Sequence, residues 1–268
     1  MSDSRPIGIF DSGVGGLTVF SEIERALPGE EVVYFGDTAR VPYGTKSKET
    51  VTKFSVENVE FLMRHNVKLV VVACNTASSL SLDFLKRCFR VPIIGVIEPG
   101  ARNAVNITRN FKIGIIGTSA TIYSGAYEKA IRKINSKIAL FSQKCPLFVP
   151  LAEEGWTGEK VTLDIASIYL EPLKKKGIDT LILGCTHYPL LKNTIERVMG
   201  RRVCLVDSAQ AVAKEAKGIL AASGLLNSSP GKKRHKFFVS DQPENFIRLG
   251  GRILKRKMRG VTKIVDES

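Results

Sequence analysis

Two cysteines follow apolar runs of similar sequence in the two halves of the chain. Leu69–Ala73 leads into Cys74, and Thr180–Gly184 leads into Cys185, 111 positions later. Short apolar runs rich in β-branched residues indicate buried parallel strands. Ligands of open α/β sheets bind beyond the carboxyl ends of the strands. Two thiols at such ends can face each other across a cleft and act as acid and base on opposite faces of one carbon atom.

A thiol suits this chemistry near neutral pH because its pKa, about 8.5, is lowered by nearby donors, cations or a helix N-terminus. The sequence contains no C-x-x-C pair, so neither a zinc site nor a redox pair is indicated, and we expect no metal. Cys88, Cys145 and Cys204 occupy no equivalent positions, and we interpret them as packing residues.

Asp11, Glu153 and His187 are the titratable side chains that can assist the thiols. Asp11 follows the first predicted strand, Glu153 follows a predicted strand in the second half, and His187 lies two positions after Cys185. A carboxylate near a thiol can orient it or accept its proton. Carboxylates at turns also cap helices, and Glu154 competes with Glu153 for the catalytic role. For His187, a place in the core is the alternative to a role as proton partner of Cys185.

A glycine-rich turn, Asp11–Gly16, joins the first strand to a helix, which is the setting of a dinucleotide-binding loop. Its glycines fall at positions 13, 15 and 16 instead of in a G-x-G-x-x-G pattern, and no Walker lysine follows. The turn therefore indicates close backbone approach to a small anion rather than to a nucleotide.

Strands and helices alternate along the chain. Strands are predicted over 6–10, 31–35, 69–73 and 92–97, and again over 111–116, 147–149, 180–184 and 203–206. Helices are predicted over 17–26, 47–65, 79–87 and 159–176. The strand ends near Asp11, Asp37, Cys74 and Glu98 correspond in order to Gly117, Glu153, Cys185 and Asp207, with offsets between 106 and 116. The shared order indicates a duplication.

This alternation predicts an α/β fold of two similar parallel-sheet lobes, with the active site in the cleft between them. We assign residues 1–98 and 208–268 to the first lobe and residues 99–207 to the second. The tail is predicted to contain a loop at 227–231, a strand at 237–239 and a helix that begins near 240–244, and to pack on the first lobe.

The composition is that of a soluble globular protein. The chain has 268 residues, of which 44% are hydrophobic and 25% charged. No apolar stretch approaches the roughly 18 residues of a membrane helix, and the first residues lack a signal-peptide pattern. Five cysteines, an odd number, favour a reducing compartment. We therefore expect a cytoplasmic protein with no membrane partner.

The positive charge is concentrated in the tail. The net charge is +14, and residues 231–259 contribute +8 from ten basic and two acidic side chains. Aromatic residues are not interleaved with these charges, and no zinc-finger spacing is present, so a nucleic-acid partner is not expected. We interpret the tail as a solvated face, and binding of a polyanion remains the alternative.

Four segments of the chain closely resemble the glutamate racemase family. They are Gly8–Thr18, Phe35–Gly44, Ala73–Ala77 and Gly184–Pro189, and the short tail segment Phe238–Asp241 is similar as well. The resemblance runs from about residue 6 to about residue 250, and the segments occur in the order typical of the family.

The resemblance implies a cofactor-independent racemase that interconverts L- and D-glutamate and supplies D-glutamate for peptidoglycan synthesis. It implies that Cys74 deprotonates the D-isomer with help from Asp11, and that Cys185 deprotonates the L-isomer with help from Glu153 and His187. The substrate-binding residues that it implies are Asp11, Ser12, Tyr43, Gly44, Asn75, Thr76, Thr186 and His187. A homodimer is compatible with the family. Racemisation of another acidic amino acid, such as aspartate, is the alternative, and the Gly36–Gly44 loop, which is of the glutamate type, argues against it.

Overall fold

The computed structural model describes residues 3–227 and 234–264, and within these ranges the chain forms two parallel β-sheets covered by helices. The strands are β1 Ile7–Asp11, β2 Val32–Gly36, β3 Leu69–Val72, β4 Ile93–Gly95, β5 Lys112–Gly117, β6 Ala139–Lys144, β7 Thr180–Gly184, β8 Cys204–Val206, β9 Lys236–Val239 and β10 Val261–Lys263. The α-helices are α1 Leu17–Ala26, α2 Lys48–Arg64, α3 Asn75–Leu80, α4 Leu82–Cys88, α5 Ile97–Ile107, α6 Ser119–Tyr123, α7 Ala126–Ile134, α8 Phe148–Glu154, α9 Lys160–Lys175, α10 Lys192–Met199, α11 Ala209–Ala222 and α12 Pro243–Leu254. Short 3₁₀ helices span Tyr43–Thr45 and Tyr188–Leu191.

The first sheet has six parallel strands in the order β10-β9-β2-β1-β3-β4. Its central strand, β1, pairs with β2 on one side and with β3 on the other, and all three strands are fully buried. Burial on both faces explains why these strands are continuous apolar runs in the sequence. The tail strand predicted at 237–239 is β9, and it pairs with β2 as part of this sheet. The second tail strand, β10, was not predicted from the sequence, and it pairs with β9.

The second sheet has four parallel strands in the order β6-β5-β7-β8. This order repeats the β2-β1-β3-β4 order of the first sheet, so the two thiol-bearing strands, β3 and β7, occupy equivalent positions. The two-lobe α/β fold that the sequence predicted is thus confirmed. The division of the chain at residues 98 and 207 stays a prediction.

The predicted strand at 147–149 is wrong. The strand at this place in the sheet is β6, and residues 148–154 form α8 instead. β6 is an edge strand with three exposed and three partly buried residues, so it lacks a continuous apolar run. Glu153 therefore lies near the end of a helix, and its equivalence to Asp37 is wrong. The helix predicted over 79–87 is also displaced, because helical structure already begins at Asn75, directly after Cys74.

The largest apolar core is shared by both sheets. Ile9 and Val71 of the first sheet belong to the same buried cluster as Ile115 and Ile182 of the second. Helices α1, α5, α7 and α11 supply the side chains between them, with α1 packed on α11 and α5 packed on α7. Because both sheets pack on this one core, the strand ends of one lobe lie next to those of the other. Within the described ranges, no helix has the length and apolar character needed to cross a bilayer.

Candidate active site

The two cysteines meet at one small cavity between the lobes. Cys74 follows β3 and Cys185 follows β7, and the two side chains are only 5% and 6% exposed. The cavity that they line has a volume of about 20 Å³. The other residues that line it are Ser12, Val41, Pro42, Tyr43, Gly44, Asn75, Thr76, Thr118, Val149, Thr186 and His187. Every site residue expected from the sequence lines this cavity except Asp11 and Glu153. These two contact lining residues, Asp11 through Thr186 and Glu153 through His187.

His187 connects Cys185 to Glu153. Its Nδ1 lies 3.8 Å from the Cys185 sulfur, and its Nε2 lies 3.1 Å from Glu153 Oε1. Burial disfavours the imidazolium, but the hydrogen bonds to Cys185 and Glu153 outweigh it and raise the pKa of His187 to about 10. His187 is therefore charged at neutral pH, and it stabilises negative charge on the adjacent sulfur.

Among the residues that the structure describes, no such cation acts on Cys74. Its thiol donates to Ser12 Oγ at 3.7 Å. Burial raises the pKa of Cys74 to about 12, and the negative charge of Asp11 adds to this effect, while the Ala77 N–H and Ser12 oppose it. Cys74 is thus a thiol at neutral pH. The two cysteines therefore differ in their surroundings: Cys74 is a protonated thiol near a carboxylate, whereas Cys185 lies next to an imidazolium.

Asp11 connects the two lobes beneath the cavity. Its carboxylate accepts a hydrogen bond from the Gly13 N–H at 3.1 Å and one from the Thr186 hydroxyl at 3.3 Å. Burial raises the pKa of Asp11, and the charge of His187 is the largest effect in the opposite direction. None of its hydrogen bonds within the described ranges goes to Cys74, so its influence on that thiol is electrostatic.

The hydroxyl of Tyr43, a residue that lines the cavity, is hydrogen-bonded within the first lobe. It donates to Asp37 and accepts a hydrogen bond from Asn58 Nδ2 at 3.1 Å. The neighbouring Gly44 is required by close packing, because a Cβ there would lie 2.5 Å from Cβ of Thr118. The short 3₁₀ helix at this point can therefore offer its N–H groups to a bound anion.

Gly15 brings the turn after β1 against the turn after β7. A Cβ on Gly15 would lie 2.5 Å from Thr186 Oγ1 and 2.8 Å from the His187 ring. The sequence predicted that this turn approaches a small anion, and that stays a prediction. In the structure, Gly15 closely approaches the opposite lobe.

Thr118 is a cavity residue that was not predicted from the sequence. It lies directly after β5, and its hydroxyl is 2.9 Å from that of Thr76 in the other lobe. Its position could have indicated this role, because Thr118 directly follows Gly117, the strand end that corresponds to Asp11. In the part of the chain that the structure describes, no three His, Cys, Asp or Glu side chains are grouped so that they could hold a metal ion.

Comparisons with known proteins agree with this geometry. Residues 7–216 match the model of the Asp/Glu/Hydantoin racemase family. A glutamate racemase from Geobacter metallireducens is 53% identical over 264 residues, which cover 98% of each chain. The structure of a glutamate racemase isoform from Bacillus anthracis superimposes with a TM-score of 0.94 at 41% identity over 98% of each chain.

A second solved structure, a glutamate racemase from Francisella tularensis in complex with D-glutamate, has a TM-score of 0.92 at 38% identity. The match covers 99% of this chain and 100% of that one. These similarities extend over both sheets and both cysteine-bearing turns. Together with the family match, they show that the chain belongs to the Asp/Glu/Hydantoin racemase family.

Proposed function

We propose that the protein interconverts L- and D-glutamate by a two-thiol acid–base mechanism. The observation that carries the proposal is the pair of buried cysteines, at equivalent strand ends, that line one cavity in different electrostatic environments. The substrate assignment is supported by full-length relatives that are glutamate racemases, one of them solved with D-glutamate.

In the proposed reaction, the Cys185 thiolate removes the α-proton of L-glutamate. The electron pair of the broken C–H bond remains on the α-carbon and its carboxylate, and Cys74 then donates its proton to the opposite face. The product is D-glutamate, and the two sulfurs have exchanged protonation states. The reverse reaction begins from that second state, with Cys74 as the base.

The proposal gives the neighbouring side chains distinct roles. His187 stabilises charge on Cys185, and Glu153 stabilises the imidazolium. The Glu153 side chain is 32% exposed, so it connects His187 to solvent and supports the exchange of protons between turnovers. The negative charge of Asp11 disfavours a thiolate at Cys74. That sulfur therefore stays protonated until it donates its proton to the substrate.

The cavity is lined by groups that complement glutamate. Its hydroxyl and amide donors, together with the N–H groups of Tyr43 and Gly44, match the two carboxylates of the substrate. A volume of about 20 Å³ holds about one water molecule. Substrate entry therefore requires the lobes to separate, and closure around glutamate excludes water from the reacting carbon.

The same proposal includes the biological setting and the domain division. Two thiols supply both acid and base, so the reaction needs no metal or organic cofactor. The product, D-glutamate, would serve peptidoglycan synthesis in the cytoplasm. The first lobe would comprise residues 1–98 and 208–268, and the second lobe residues 99–207.

The test is incubation of the purified protein with L-glutamate in heavy water, with L-aspartate as the control substrate. Circular dichroism follows the loss of optical activity, and NMR follows the loss of the α-proton. We expect racemisation of glutamate, with deuterium mainly in the product isomer, because the donor on the far face has exchanged with solvent. Unchanged L-glutamate would contradict the proposed function.

The two-thiol mechanism is tested separately with Cys74→Ala and Cys185→Ala. Each variant lacks one of the two groups that inversion requires, so each should lose racemisation. Cys88→Ala is the matched control, because Cys88 is exposed on α4 and lies outside the cavity. Its interpretation from the sequence as a packing residue is therefore wrong, as it is for Cys204, which is also exposed. Near-normal racemisation by either cavity variant would contradict the mechanism.

A further inference from the structure

Tyr127 contacts the neighbours of both cysteines from behind the cavity. It lies on α7 and is only 1% exposed. Its hydroxyl donates to Oδ1 of Asn75, which directly follows Cys74, at 2.7 Å. Its ring packs against Gly184, which directly precedes Cys185, so closely that a Cβ on Gly184 would lie 3.2 Å from Tyr127 Cε2.

The Tyr127 side chain is held as a fixed hydrogen-bond donor. A Cβ on Gly100 of α5 would lie 3.4 Å from both Cε1 and the hydroxyl oxygen of Tyr127, so the ring is enclosed on this side as well. Burial raises the pKa of Tyr127, and the charge of Asp207 raises it further against the opposing effect of Ser208. The phenol therefore remains protonated and continues to donate to Asn75.

This donation decides which end of the Asn75 carboxamide is free. A carboxamide has one oxygen that accepts and one NH₂ group that donates. Because Tyr127 occupies Oδ1, the group that remains for a ligand is Nδ2, and it has no protein acceptor among the hydrogen bonds of the described residues. Asn75 lines the cavity beside both cysteines. An N–H donor pairs with a carboxylate and not with an ammonium group.

We propose that Tyr127 is a positioning residue that orients Asn75 so that its Nδ2 group binds a carboxylate of glutamate. This inference rests on the proposed racemisation of glutamate. Without the Tyr127 hydroxyl, the carboxamide can rotate and present its oxygen to the substrate carboxylate. The resulting loss is in substrate binding rather than in proton transfer, which distinguishes this role from that of the cysteines.

The first test is Tyr127→Phe, which keeps the ring and removes only the hydroxyl. We expect KM for both isomers to rise about tenfold, as for the loss of one hydrogen bond to a charged group, with kcat within about threefold. Tyr188→Phe is the matched control: Tyr188 is fully buried and its hydroxyl donates to the Cys145 carbonyl at 2.9 Å. Its KM should stay within about twofold of the original value.

A double-mutant cycle shows whether Tyr127 acts through Asn75. In an Asn75→Ala background there is no carboxamide to orient, so Tyr127→Phe should change KM by less than about twofold. Equal tenfold increases in both backgrounds would overturn the proposal. An unchanged KM in the single variant Tyr127→Phe would overturn it as well.

Asn75→Asp gives an answer that does not depend on the folding of a Tyr127 variant. The Tyr127 hydroxyl still binds one carboxylate oxygen, so the other oxygen takes the place of Nδ2 and repels the carboxylate of glutamate. We expect a higher KM for Asn75→Asp than for Asn75→Ala, and the opposite order would refute the assigned orientation. Failure of the unmodified protein to racemise glutamate would instead refute the proposed function.

Discussion

A single methyl group at Gly15 tests whether the fit between the two lobes sets the catalytic rate. In Gly15→Ala, the new Cβ would lie 2.5 Å from Thr186 Oγ1 and 2.8 Å from the His187 ring. Ordinary contacts of this kind begin near 3.4 Å, so the turn after Cys185 must retreat by about 0.9 Å. A displacement of about 1 Å at a reacting group costs on the order of 100-fold in rate. We expect kcat to fall by about that factor.

The assay is the rate of loss of circular dichroism from L-glutamate at saturating concentration. Gly13→Ala is the matched control in the same turn, because the nearest atom to its Cβ is Val41 Cγ2 at 3.6 Å. Neither glycine has a positive φ, so the backbone accepts alanine at both positions. The control should keep kcat within about threefold. If Gly15→Ala kept a similar rate, the argument that lobe contact positions His187 would be refuted.

Three further results are expected. His187→Asn should lower kcat by about 10²- to 10⁴-fold. It should also give a larger isotope effect with α-deuterated L-glutamate than with the α-deuterated D-isomer, because only Cys185 loses its hydrogen-bond partner. Equal isotope effects for the two isomers would contradict this. The pKa of His187 is raised to about 10 in the folded protein, so its contribution to stability is complete below about pH 6.5 and is lost as the pH rises through about 10. Urea unfolding at pH 7 and pH 10.5 should show this loss in the unmodified protein and less of it in His187→Asn, and parallel losses would contradict it. Lys68→Met breaks a fully buried 2.7 Å ion pair with Glu30 and should lower the free energy of unfolding by about 3–5 kcal/mol, and an unchanged urea midpoint would argue against this.

Much of the fold followed from the sequence because buried parallel strands are continuous apolar runs. The runs before Cys74 and Cys185 predicted β3 and β7 to within one residue. The carboxyl ends of parallel strands meet at one edge of a sheet, so the sequence also predicted that residues after these strands would lie together. The cavity contains both cysteines and their successors.

Other features depended on contacts that no local pattern records. The edge strand β6 is half polar, so it was missed, and the helix that carries Glu153 was mistaken for a strand. Glu153 reaches His187 across 34 positions, and Tyr127 reaches Asn75 across 52. The tertiary structure also decided the charge states. Cys74 and Cys185 stand in similar sequence contexts, yet burial near Asp11 keeps Cys74 protonated, whereas His187 stands beside Cys185. Sequence determines which groups are present, but desolvation and neighbouring charges exist only once the chain has folded.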